Sequence, residues 1–327
     1  MTATTTTDWL QSARASFQTR VGTRVAIIGG GLLGTTLALR YRQAGRVVTV
    51  FEADERVDRR MPAPVCIRDR SFLTLIEELG LSSSVRWEKS VPREFGVLVG
   101  GRARIVESLR DRARAIGVDF RLGVPVQSIS PDGLGFGVAT TEGVTEFDEV
   151  VMTVSSATAA DLVETFPEQQ RLMLHAVESL GIISVSFVIR SEASRAGSKH
   201  YVSHVVRGHF RFAVLDFSCL IADKDIRQDV VYVSRPLAMT DKFFSEDDRV
   251  IIEHFARALA GDVEIVKARV TRTPHAFARQ SLGSFTSSIP GLSIVNAATM
   301  NGGRHHLDRT AAVAASAFQS LCAERIS

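Results

Sequence analysis

The apolar positions of this chain change period several times, and each change marks an element. Arg24-Val25-Ala26-Ile27-Ile28 is a short apolar run without polar alternation, the pattern of a strand buried on both faces. Gly29 to Gly34 then opens a helix that carries Leu33, Leu37 and Leu39 and ends near Gly45, and Val47-Val48-Thr49-Val50-Phe51 forms the next strand. This β-α-β order with a short crossover predicts parallel strands and a right-handed connection. Phe72, Leu75, Ile76 and Leu79 share one stripe and predict a helix over 71–79, stopped by Gly80, and a further helix is expected over 103–116. Strands are expected over 119–122, 135–140 and 149–154. From Ile182 to Val233 the pattern breaks into short β-rich pieces, 182–189, 200–206, 210–217 and 230–233, the outline of an antiparallel sheet. A helix over 247–259, a strand over 292–296 and a helix over 308–323 complete the reading.

Composition narrows the function more than the fold. With 327 residues, 45% of them hydrophobic and 23% charged, the chain can bury a sizeable core and hold two domains or one elaborated domain. Thirty-nine basic residues against 36 acidic ones leave a net charge of only +3, and no Lys/Arg run stands out, so nucleic acid is not expected as a partner. Cys66, Cys219 and Cys322 lie far apart without the spacing of a zinc site; they read as ordinary thiols, and no metal is expected. The Thr-rich start, 1–22, has neither the basic nor the apolar segment of a leader and reads as a peripheral or disordered segment. No uncharged apolar run approaches the ~20 residues of a membrane helix, so no membrane span and a cytoplasmic location are expected.

The sharpest motif is Gly29, Gly31 and Gly34, a GxGxxG placed between a strand and a helix, with Glu52 at the end of the following strand. The first glycine permits the tight turn, the second lets backbone N–H groups approach a pyrophosphate, and the third lets the helix pack closely. The helix N-terminus favours the phosphate charge. Gly30 and Leu33 complete the loop as backbone donors, and the Glu52 carboxylate would accept from the ribose hydroxyls of an adenosine while repelling a 2′-phosphate, which argues against NADP.

Other stretches follow in an order that resembles the FAD-dependent amine oxidase superfamily, which includes monoamine oxidases, protoporphyrinogen oxidases and phytoene desaturases. Asp69 to Leu81 is similar to the family's helix after the first loop. Gly100-Gly101-Arg102 to Gly117, followed by Val126-Gln127-Ser128-Ile129, resembles its "GG…L…L…G…V..I" stretch. Asp148 to Val154 resembles "D.VV.T.P", and Ile289-Pro290-Gly291-Leu292 precedes the strand of the last flavin contact. The resemblance implies a Rossmann-type FAD/NAD(P)-binding domain with a parallel sheet, plus a reduced substrate domain built on an antiparallel sheet. It implies FAD as cofactor, Val126 holding the adenine by backbone contacts, Arg60 on the pyrophosphate side, and Asn296 and Ala297 at the last flavin contact.

Three departures leave alternatives open. The family's Gly-Gly-Arg aligns with Asp58-Arg59-Arg60, so only Arg60 matches; its terminal Gly-Asp aligns with Asn296-Ala297; and only 18 residues separate Leu81 from Gly100, where the family has a long helical insertion. NAD, a smaller adenine nucleotide or no cofactor therefore stand beside FAD. Candidate catalytic groups are His305 and His306, in the loop before the last helix, one of them as acid or base, and His275, in a segment that lines the substrate cavity of relatives, where an imidazole could stack on a substrate.

The expected division places 23–66, 100–160 and 284–327 in the dinucleotide domain and 67–99 and 161–283 in the substrate domain. The expected activity is hydride removal from a C–N or C–C bond of a small molecule in a biosynthetic pathway. A flavin-free isomerase or cyclase is one alternative. The other is a non-catalytic partner subunit or homo-oligomer presenting an exposed apolar face, for which Phe243, Phe244 and Phe255 are the candidates.

Overall fold

The computed structural model describes residues 22–55, 65–67, 70–90, 93–98, 101–133, 135–190, 202–207, 210–216, 229–259, 263–279, 282, 285–296 and 298–299. The expected β-α-β unit is β1 (Arg24–Ile28), α1 (Leu32–Gln43) and β2 (Val47–Glu52). With β6 (Asp119–Leu122), β10 (Glu149–Met152) and β16 (Leu292–Ile294), these strands make a five-stranded sheet in the order β16-β10-β1-β2-β6, parallel at every pairing.

The continuous apolar run of β1 is explained by the layers on either side. Val25 and Ile27 enter a core with α1, α2 (Arg70–Glu78) and α3 (Gly101–Ala115), while Ala26 and Ile28 enter a second core on the opposite face. Alternating residues point to opposite faces, so a strand covered on both sides needs apolar residues at every position. The second face is covered by the antiparallel strands β7 (Val126–Asp132), β8 (Gly135–Thr140) and β9 (Gly143–Phe147), by α4 (Ser156–Leu162) and by α5 (Glu168–His175). Ser155 caps α4, its hydroxyl accepting from the Thr158 N–H at 3.2 Å.

The other five-stranded sheet is antiparallel, in the order β12-β13-β14-β11-β15, from β11 (Ser179–Arg190), β12 (Val202–Arg207), β13 (Phe210–Asp216), β14 (Asp229–Ala238) and β15 (Glu264–Ala278). The helix α6 (Asp248–Ala256) lies across one face, capped by Asp247, whose carboxylate accepts from the Arg249 N–H at 2.8 Å. A small sheet, β3 (Val65–Ile67), β5 (Arg93–Leu98) and β4 (Val85–Ser90), has β5 in the middle; strands thus occupy the short stretch between Leu81 and Gly100.

Two expected boundaries move. Phe72, Leu75, Ile76, Val85 and Leu98 join the core shared by β1, α1 and α3, so α2 and these two strand positions pack on the parallel sheet. Val163, Phe166 and Leu174 join the core on the other side of that sheet, and the antiparallel domain begins at Ser179, later than 161. In both cases the apolar stripe shows that a helix is amphipathic without identifying the layer that will cover it.

The expected apolar face does not exist in the form foreseen. Phe243 and Phe255 are buried between α6 and the antiparallel sheet, Phe244 packs against the same core, and the Phe255 and Phe212 rings meet edge to face at 5.2 Å. Phe255→Ala should therefore cost about 3–5 kcal/mol of stability; urea denaturation measures it, and a change near zero would restore the exposed-face reading. His254 sits among the same rings, 4.8 Å from Phe243 and 5.7 Å from Phe212 between centroids. Burial holds its pKa below the ordinary value of 6.5, with Arg257, Arg235 and Lys242 adding to the effect and Asp241 opposing it. The unfolded chain binds this proton more readily than the folded one, so the contribution is complete above pH 6.5 and is lost as pH falls below it. Denaturation midpoints compared at pH 7.5 and 5.5 should show a smaller acid loss in His254→Leu than in the unaltered chain.

Candidate functional site

Where β1 ends, the chain makes the turn that its glycines permit. Gly29 has φ +104°, a left-handed conformation that L side chains rarely adopt, and its N–H donates to the Phe51 carbonyl at 2.8 Å, tying the turn to β2. A Cβ on Gly34 would collide with the Gly29 carbonyl oxygen and come within 2.8 Å of Thr153 Oγ1. Thr153 follows β10, and its hydroxyl lies 2.9 Å from the Gly29 carbonyl and 3.1 Å from that of Ile28. Helix, turn and two strands thus converge with no space for a side chain.

The N-terminus of α1 carries no side-chain cap and no acidic residue in its first turn. Its first intrahelical bond runs from the Thr35 N–H to the Gly31 carbonyl at 2.9 Å. The N–H groups ahead of Thr35 are therefore the four orphan donors of a helix start, at the positive end of its dipole. Glu52 stands beside them: Oε2 accepts from the Gly30 N–H at 2.7 Å, and Oε1 from the Asp54 N–H at 3.0 Å. Each carboxylate oxygen keeps a lone pair for another donor. Uncapped N–H groups facing an acid across a glycine turn can bind a pyrophosphate and a vicinal diol together.

Gly29, Gly30, Gly31, Leu33, Gly34 and Glu52 are brought together, Leu33 serving also to pack α1 on the core. Asn296 is drawn toward them through the stretch after β10, its Nδ2 donating to the Val154 carbonyl at 2.9 Å and to Ser156 Oγ at 3.3 Å. Its Oδ1 accepts from the N–H groups of Ala298 and Thr299 at 2.9 and 3.2 Å. With both donors and both lone pairs used, the Asn296 side-chain amide holds the turn after β16. Val126 is half-buried at the start of β7, beside the second core. Arg60, Ala297, His305, His306 and the helix expected over 308–323 lie outside the described residues, as do His200 and His209.

His275 lies within β15, at an interruption of the ladder. Leu180 pairs with Phe277 and Ile182 with Thr273, so Gly181 faces three residues, Pro274, His275 and Ala276. Pro274 cannot donate to the ladder, and the bulge absorbs it. His275 takes φ +50°, unusual for a residue with a side chain, and its N–H points at Met239 Sδ, 3.4 Å away. Just beyond the bulge the chain entering β11 is tied to the chain leaving β15: the Arg279 N–H donates to the Glu178 carbonyl at 2.8 Å, and their side chains pair at 2.7 Å.

The face of the antiparallel sheet turned away from α6 carries a polar patch between Ile182 and Val188 of β11. Ile183, Val185, Phe187 and Ile189 point into the core under the helix, so Ser184 and Ser186 point the other way. The register sets Ser186 between Tyr232 and Arg269, and Ser184 between Ser234 and Thr271. Ser186 is 3% exposed and Tyr232 7%, and burial raises the pKa of the phenol. Among the described residues, no group of three or more His, Cys, Asp or Glu could hold a metal, and no helix is long and apolar enough to cross a membrane.

One residue of the glycine loop's surroundings escapes sequence reasoning. Arg110, on α3, is 6% exposed, and its Nη2 donates to the Gly30 carbonyl at 2.8 Å. Its one sequence signal is helical spacing. It falls four residues after Val106 and three before Ala113, on the buried stripe, whereas Arg104, Arg112 and Arg114 on the same helix are exposed.

A parallel sheet entered through a glycine turn, with an acid ending its second strand and an antiparallel domain attached, defines a Rossmann-type fold of the kind that binds dinucleotides. Residues 89–259, just over half of the chain, match the family of flavin containing amine oxidoreductases. The chain belongs to that family. Its fold is similar to that of an Exiguobacterium sp. 255-15 protein assigned as a protoporphyrinogen oxidase, at 12% identity and a TM-score of 0.67 over 92% of this chain and 99% of that one. An oxidoreductase from Methanosarcina mazei has 12% identity and a TM-score of 0.62, over 90% of this chain and 100% of the other. A Diels-Alderase of pyrroindomycin biosynthesis has 18% identity and a TM-score of 0.55, over 93% of this chain and 66% of its own. No curated protein matches the sequence.

Gly34→Ala, which must force the Gly29 turn open, should cost about 1–3 kcal/mol of stability. Gly45→Ala meets no neighbouring atom and serves as the comparison, its cost coming only from a φ of +82°. Thermal unfolding of both variants checks this, and an unaltered midpoint for Gly34→Ala would contradict the close packing described above.

Proposed function

We propose that this protein is an FAD-dependent oxidoreductase that removes hydride from a C–N or C–C bond of a small molecule, in a biosynthetic pathway. The observation that carries the reading is the glycine turn: uncapped N–H groups at the start of α1 stand beside a carboxylate with lone pairs to spare, and no Cβ fits at Gly34. Gly29, Gly30, Gly31, Leu33 and Gly34 would hold the pyrophosphate through backbone donors, and Glu52 the adenosine ribose. Val126 would meet the adenine through its backbone, and Arg60 would offset phosphate charge. When bound, FAD supplies the hydride-accepting chemistry. The chain's part is to bind, orient and exclude water. The row Tyr232-Ser186-Arg269, with Ser234-Ser184-Thr271 beside it, would form the substrate wall and offers hydroxyls and one cation to a polar small molecule. His275, at the bulge, and His305 and His306 are the candidate catalytic groups.

A second reading, a flavin-free isomerase or cyclase, draws support from the Asn296 amide, whose groups are spent within the protein, and from a cyclising enzyme among the structural neighbours.

One experiment separates the two. The purified full-length chain is incubated with excess FAD and desalted, and its visible spectrum is recorded. Retained oxidised-flavin bands are expected; a colourless protein that takes up no FAD sinks the oxidoreductase reading in favour of the second. Glu52→Gln, which loses a charged acceptor, should weaken FAD binding about ten- to a hundredfold as measured by quenching of flavin fluorescence.

A further inference from the structure

We propose that Arg110 is a positioning residue for the pyrophosphate of an adenine dinucleotide, acting through the Gly30–Gly31 peptide; this rests on the dinucleotide reading of the glycine turn. Arginine is rarely buried this deeply unless it is paired, yet Arg110 forms no ion pair among the described residues. Its Nε has no hydrogen-bond partner, and what the guanidinium does hold is a backbone carbonyl, that of Gly30. Thr35 Oγ1 donates to the same oxygen at 3.0 Å.

The consequence follows from the geometry of the peptide. In a trans peptide the C=O and the N–H point in opposite directions. Arg110 from α3 and Thr35 from the first turn of α1 grip the Gly30 oxygen, and the Gly31 N–H is therefore turned away from both donors. Glu52 takes the Gly30 N–H, so opposite charges fix the two polar groups of one residue. A side chain would crowd this approach: a Cβ at position 30 would lie 3.0 Å from Glu52 Cβ and 3.3 Å from both Glu52 Oε2 and Arg110 Nη2.

The charge matters as well as the hydrogen bond. Burial lowers the Arg110 pKa and the nearby Glu52 carboxylate raises it in opposition. A buried cation behind the loop adds to the positive end of the α1 dipole, where an anion would sit. Arg110 thus orients one N–H and reinforces the field on it without touching the ligand.

The test uses the full-length chain with FAD, followed by quenching of flavin fluorescence, and with ADP and adenosine as competitors against FAD. Arg110→Met should raise the Kd for FAD and ADP about ten- to a hundredfold, the loss typical of a charged hydrogen bond, and that for adenosine by less than about threefold. Arg110→Lys, which keeps the charge but not the fork, should recover part of the loss. Thr35→Val, an uncharged change that removes the second donor to the same carbonyl, should weaken ADP in the same direction by less. Unchanged ADP binding in Arg110→Met overturns the proposal. Equal losses of ADP and adenosine overturn it too, because they would mean that Arg110 holds up the site as a whole. Should Arg110→Met fail to fold, Thr35→Val decides alone, and unchanged ADP affinity in it is then the overturning result. If the unaltered chain binds neither FAD nor ADP, the dinucleotide reading itself fails and takes this inference with it; unaltered binding with an indifferent Arg110→Met removes this inference only.

Discussion

The close approach of Gly34 to the Gly29 carbonyl is the constraint on which the rest of the site depends. Because no Cβ separates them, α1 starts directly against the end of β1, and Thr153 can place its hydroxyl on the carbonyls of Ile28 and Gly29. That brings the segment after β10 to the same point, and Asn296 attaches the turn after β16 through the Val154 carbonyl. Three distant stretches of chain meet around a few backbone atoms, and those not used by neighbours are the N–H groups at the start of α1.

Around this point the parallel sheet acts as a middle layer with a core on each face. Helices α1, α2 and α3 cover one side, and the β7-β8-β9 meander with α4 and α5 covers the other. The layer carrying α3 also delivers Arg110 to the glycine loop, so the helix packing that buries Val106 and Leu109 brings a charge behind Gly30. The antiparallel domain divides its labour by face. Apolar residues of β11 meet α6 on one side, and serines of the same strand meet Tyr232 and Arg269 on the other. Period-two alternation gives a single strand both a structural and a chemical surface.

Some expectations failed for identifiable reasons. Phe243, Phe244 and Phe255 look like an exposed patch when a covering insertion is missing, but the turn at 242–244 and α6 place them on the antiparallel sheet. The Asn296 side-chain amide, at the position of the family's last flavin contact, is consumed by four hydrogen bonds within the protein. A hydrogen-bonding residue's type states its capacity; only its neighbours decide where that capacity is spent.

What the sequence determined by itself was local: a buried strand, a glycine turn, a helix start and an acid at the next strand's end, all within 29 residues, Arg24 to Glu52, where backbone sterics leave few choices. It also carried, through the order of weaker motifs, the family to which the chain belongs. Tertiary structure alone decided which arginine of α3 is buried, since Arg110 lies 58 positions beyond Glu52 and looks in sequence like its solvated neighbours. It also decided that Pro274 and His275 form a bulge opposite Gly181, and that α2 with Val85 and Leu98 packs on the parallel sheet. Those outcomes depend on long-range packing, in which the free energy of burying a side chain is set by the surface it meets and not by its neighbours along the chain.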